Sequence, residues 1–159
     1  MRGGSVRLIS LLALLLGCTA VAAQASGTTV IAAVKAQDKV VKSSAAYRGL
    51  KHIKANTPAE ARKLVTEFKA LQGKVEHAAT AVSRASASGP RQKQGQEDWV
   101  QGVRELARGL GQLDTGLQDV VNGKTAAAKA ALTKAERTLS AANARGSKGD
   151  KLLGLPTND

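Results

Sequence analysis

Chemistry-bearing side chains are scarce in this chain: of 159 residues, one is cysteine, one methionine, two are histidine, and Trp, Tyr and Phe occur once each. A lone cysteine, Cys18, makes an intramolecular disulfide impossible. It falls inside the N-terminal leader described below, so the mature chain has either no thiol or one consumed by lipid. Covalent haem would need Cys-x-x-Cys-His, and an axial methionine is unavailable because Met1 leaves with the leader. The two histidines, His52 and His77, do not converge. If two helices turn back near Asn56, they lie about 25 Å apart along the axis, at about 1.5 Å per residue, and each reads as a surface side chain.

Metal sites built from helices fare no better. Di-iron bundles use Glu-x-x-His pairs, and none of the six glutamates has a histidine three residues on. A His-Glu-x-x-His helix and a zinc ligand set are absent too. Nucleophilic catalysis needs a serine or cysteine beside a positioned base, which two separated histidines do not supply. Gly123-Lys124-Thr125 ends like a phosphate-binding loop, but it has neither the earlier glycine nor a preceding strand. The residues therefore predict a protein that is not an enzyme, with no catalytic, cofactor-binding or metal site. With so few aromatics there is no stacking platform for single-stranded nucleic acid, so nucleic acid is not an expected partner. Tyr47, Phe68 and Trp99 read as core anchors, one in each of the first three helical segments.

Long apolar runs are also missing. The longest, Leu8 to Leu16, is well short of the roughly 20 residues that span a bilayer. Following a start that holds Arg2 and Arg7, and preceding small residues up to Ala25, it reads as a secretory leader over residues 1–25. Two processing sites compete. Ala23-Gln24-Ala25 suits ordinary signal peptidase and gives a mature start at Ser26. Leu15-Leu16-Gly17-Cys18 resembles a bacterial lipobox and would make Cys18 the lipidated first residue. The expected location is accordingly outside the cytoplasm, either free or lipid-anchored to the cell envelope.

Charge of one sign dominates. The whole chain is +12, and losing Arg2 and Arg7 with the leader leaves +10. Such a surface favours anionic company. The first helical segment carries Lys35, Lys39, Lys42, Arg48, Lys51 and Lys54 against Asp38 alone. The fourth segment and the tail are basic as well, whereas the third is slightly acidic. Lys35, Lys39 and Lys42 are spaced to share one helical face, which makes them the candidate anion-binding residues. The expected partner is an anionic envelope polymer or membrane surface.

Glycine, proline and polar clusters divide residues 26–145 into four helical segments, with almost none of the alternation that strands require. The first runs from Thr29 to Lys54, with Val30, Ile31, Val34, Val40, Val41, Ala45, Tyr47 and Leu50 on its apolar face. The second opens on Thr57-Pro58-Ala59-Glu60, a capping box with proline at the first helical position, and ends near Ser86. Its seam is Leu64, Phe68, Leu71, Val75, Ala78 and Val82. After a polar lead-in at Gln92 to Gln96, the third carries Trp99, Val103, Leu106, Leu110, Leu113, Leu117 and Val120. The fourth, Lys124 to Ala144, offers Ala128, Leu132, Ala135, Leu139 and Ala142. Short connections make neighbours antiparallel, so the expected fold is all-α, an up-down-up-down four-helix bundle. A helical hairpin that dimerises is the rival, which keeps a homodimer open. Residues 146–159 read as a polar tail whose Leu152, Leu153 and Leu155 hook onto the bundle end.

One pattern exceeds generic bundle design. Gly95, Gly102, Gly109, Gly116 and Gly123 recur every seven residues. A glycine inside a helix costs about 1 kcal/mol relative to alanine, so the stripe needs compensation. One reading is close packing of Gly102, Gly109 and Gly116 against the alanines of the fourth helix. The other is a shallow groove for a lipid tail or partner helix. Two functions follow: a non-enzymatic envelope module that binds through a basic face, or a small carrier or chaperone-like bundle that uses the stripe.

Overall fold

The computed structural model describes residues 29–44 and 57–157. They form four helices and no strand: α1 (Val30–Ser43), α2 (Pro58–Ser83), α3 (Pro90–Val121) and α4 (Thr125–Leu153). The segment 1–25 expected to be a leader, with Cys18, and Tyr47, Arg48, Leu50, Lys51, His52 and Lys54, lie outside the described residues.

Local chemistry fixes the helix ends. At α2, the Thr57 hydroxyl accepts from Glu60 N–H at 3.2 Å while the Glu60 carboxylate accepts from Thr57 N–H at 3.0 Å, with Pro58 at the first position. Two otherwise orphaned donors are thereby satisfied. Helix α3 also starts on proline, Pro90, and the N–H of Lys124 closes its far end on Asp119 C=O at 2.8 Å. Gly123, at φ +73°, then turns the chain directly into α4. At the end of α4, Gly154 takes φ +71° and Leu155 N–H returns to Asp150 C=O at 2.8 Å. This wrap seats Leu155 in the core, the hydrophobic contact that accompanies such an end.

Residues on α1 begin beside the α2–α3 connection, where Val30 N–H donates to Ser86 C=O at 3.0 Å, and the helix runs back along α2. Helices α2, α3 and α4 follow antiparallel to one another, so the order is up-down-up-down. A single core cluster joins all four, with Leu71, Leu110, Leu113 and Leu139 among its fully buried side chains. The largest interface is α3 on α4 and the smallest of the main ones is α1 on α2. A side chain reinforces the α2–α3 join: Gln96 of α3 donates to Val82 C=O at 2.6 Å and Ala85 C=O at 2.8 Å, tying α3 to the end of α2.

Several boundaries and faces differ from the sequence reading. Helix α1 stops at Ser43, not Lys54, because Ser44 is extended and its hydroxyl bonds back to Val41 C=O at 2.6 Å. The polar lead-in at Gln92 to Gln96 is already helical, since Pro90 starts the element. Helix α4 continues through the expected tail to Leu153, because Gly146 and Gly149 are buried helix positions rather than breakers. Val40, read on the apolar face of the first helix, and Val120, read on the seam of the third, are 45% and 51% exposed. Val40 lies about 100° around the helix from the buried Val41. Val120 sits in the last turn of α3, where α4 opens with short alanines.

Candidate functional site

The glycine stripe is a contact surface between α3 and α4. A Cβ placed on Gly95 would come within 2.9 Å of Leu153, on Gly102 within 2.7 Å of the Gly146 backbone nitrogen, on Gly109 within 2.6 Å of Leu139, and on Gly116 within 2.8 Å of Leu132. Each of these pairs, a heptad apart, keeps one antiparallel register. The partners are therefore three leucines and a glycine, not the alanine run: Ala126, Ala127 and Ala130 are exposed, and of the α4 alanines Ala128, Ala135 and Ala142 are buried. Gly149 answers from α4, where a Cβ would meet Trp99 N at 2.7 Å. The space over the stripe is thus taken up by α4, and at the Gly102–Gly146 level the two backbones touch. Gly146 and Gly149 were legible only as helix breakers, since two glycines in a polar stretch ordinarily mark a loop.

The cations divide into held and unheld sets. Lys148 pairs with Asp98 at 2.9 Å, Arg145 with Glu105 at 3.3 Å, and Lys69 approaches Asp114 at 3.9 Å. The hydrogen bond from Lys148, joined by one from Gln94, holds the Asp98 carboxyl below the usual carboxylate range. On the N-terminal half of α4, Lys129, Lys134 and Arg137 have no such acid among the described residues. They surround a shallow, open depression of 690 Å³ floored by Ala126, Ala130 and Thr133. Glu136 is the one acid of α4 before Asp150, so this face is strongly positive.

The three lysines singled out on α1 have different surroundings. Lys39 is exposed, Lys35 is half-buried, and Lys42 is drawn onto Asp38 at 2.9 Å. Asp38 is a buried position of α1, 6% exposed, in line with Val30, Val34 and Val41 on the face that meets the bundle. Its charge is also felt by Asp150 of α4. Burial and then the Asp38 carboxylate push the Asp150 carboxyl up to about 7, with Lys42 pulling the other way. Sequence inspection gave no sign of this pair, because its members are 112 residues apart and each sits in a stretch read as polar surface.

Among the described residues, no group of three or more His, Cys, Asp or Glu side chains is placed to hold a metal ion. No described helix is long and apolar enough to cross a membrane. His77 is exposed on α2. No family model, no curated protein and no solved structure matches the chain.

Proposed function

We propose that this chain is an exported, non-enzymatic module of the cell envelope that binds phosphate-bearing anionic surfaces through its basic faces. The observation that carries this reading is the depression on α4, where Lys129, Lys134 and Arg137 stand around small side chains with no acid partner among the described residues. Unneutralised cations on a rigid helix attract polyanions at long range, over about 10 Å at 0.1 M salt. An alanine and threonine floor has nothing bulky to insert into hydrocarbon, so contact would be electrostatic and confined to the headgroup or polymer surface. Lys35 and Lys39 of α1 add a second positive face. The leader and the net charge of +10 expected after its removal supply the compartment and the attraction.

Co-sedimentation with vesicles of neutral lipid, vesicles containing an anionic phospholipid, and an insoluble phosphate-bearing wall polymer tests this. Binding is expected at low salt to the anionic materials only and should vanish as salt is raised. Replacing Lys129, Lys134 and Arg137 together with glutamate should remove most of it. Absence of binding to every anionic material at low salt would sink the proposal.

A further inference from the structure

Asp98, Glu105, Gln112 and Asp119 of α3 recur one heptad apart on the flank of the glycine stripe, each three residues after a stripe glycine. The first two reach across to α4, where Asp98 holds Lys148 at 2.9 Å and Glu105 holds Arg145 at 3.3 Å. The Gly95–Leu153, Gly102–Gly146, Gly109–Leu139 and Gly116–Leu132 contacts keep one antiparallel register. Equal steps on both helices therefore carry an observed pair along the seam. Two heptads take Asp98–Lys148 to Gln112–Lys134, and Glu105–Arg145 to Asp119–Ala131. The charges of this half are out of step, since its cation meets an amide and its acid meets a methyl group.

Gln112 is half-buried, and its Oε1 is buried with no hydrogen-bond partner among the described residues. An uncharged amide can leave that oxygen unpaired at modest cost, whereas a carboxylate would need a cation. Lys134 is the α4 cation that the register brings to that level, and it is exposed with no acid partner among the described residues.

We infer that Gln112 is a positioning residue of the α4 depression: neutral at the third rung of an otherwise acidic ladder, it leaves Lys134 unpaired and available to an outside anion. Lys129 and Lys134 lie about 140° apart around α4, with the floor of Ala126, Ala130 and Thr133 between them. Drawing Lys134 down onto α3 would remove one rim and leave Lys129 and Arg137. The C-terminal half of α4 thus spends its cations on the seam, and the N-terminal half keeps them for a partner. The inference rests on the anion-binding reading for its partner, while the unpaired state of Lys134 is measured with no ligand present.

The test uses residues 26–159. Gln112→Glu changes an amide to a carboxylate of the same shape, and NMR should show the Lys134 amine titrating at higher pH than in the wild type. At low salt its binding to phosphatidylglycerol vesicles and to inorganic polyphosphate should fall about threefold to tenfold. Adding Lys134→Gln to Gln112→Glu should cost little more binding, because both changes remove the same contact. Gly73→Glu makes an added negative charge on α2, where a Cβ meets nothing within 4 Å, and should alter binding less than about twofold. Gln112→Asp serves should the Glu variant fold poorly. An unmoved Lys134 titration, unchanged binding by a folded Glu or Asp variant, additive losses, or an equal loss in Gly73→Glu would each overturn the inference. A wild type that binds neither probe at low salt would instead overturn the anion-binding reading on which it rests.

Discussion

The α3–α4 pair and the α1 joint solve the same problem, burying one helix against another, with opposite materials. Between α3 and α4 side chains are removed: glycine on either helix lets leucine knobs or the facing backbone come into direct contact. The conformational cost of so many helical glycines is offset by dispersion across a long interface. At the α1 joint side chains are kept, and charged ones sit where apolar ones would pack. The first arrangement responds to volume and scarcely to solution conditions. The second buries charge, and so should respond to pH and salt. One molecule thus contains a seam that should fail only when something is forced into it and a joint that should yield to pH.

The largest expected effect comes from forcing the seam. Gly102→Leu places a side chain where even a Cβ meets backbone at 2.7 Å, and it should cost about 3 kcal/mol or more, seen as a lowered urea midpoint. Gly109→Ala, whose Cβ meets the Leu139 side chain at 2.6 Å and backbone no closer than 3.6 Å, should cost distinctly less. If the two variants were equally stable, the close approach at Gly102 would not be what holds the pair. A smaller effect is expected at α1. Val34→Ala, at a site 3% exposed, should cost about 1–2 kcal/mol by loss of buried apolar volume. Hydrogen exchange should show that loss in α1 with α3 and α4 still protected; loss spread evenly would erase the distinction between the two regions. The smallest is Lys148→Ala. It removes a partly exposed ion pair to Asp98 that flanks the seam, and should change stability by less than about 1 kcal/mol, shrinking with added salt.

Those contrasts also explain what could be read from residues alone. The capping box at Thr57, the turn at Asn122–Gly123 and the leucine spacing of α2 and α3 are local signals, and each appears where expected. The heptad of glycines was visible, yet its partners were misassigned. Thirteen alanine or leucine positions on α4 look alike to periodicity, and only register says that Leu132 and Leu139 meet Gly116 and Gly109. The helical run through Gly146 and Gly149 was missed because glycine's local preference argues for a loop, while its tertiary role, admitting Trp99 and Gly102, wins in the fold. Of the candidate binding residues, Lys42 could not be separated from Lys35 and Lys39 by spacing, since what sets it apart is the buried Asp38. The acid-free depression on α4 depends on which cations α3 neutralises, a property of two helices and not of one.

Gly123 has a consequence that reaches the far end of the bundle. Sliding α4 along α3 by one heptad would set Gly109 against Gly146 and Gly116 against Leu139, pairs as easily accommodated as those observed. The heptad spacing of the stripe does not by itself fix one alignment. The Asn122–Gly123–Lys124 connection has no slack for such a slide. This short reversal acts as the zero mark of a ruler: it decides that Trp99 faces Gly149. A chain with seven residues added at that turn would retain every contact surface and lose the instruction that matches them.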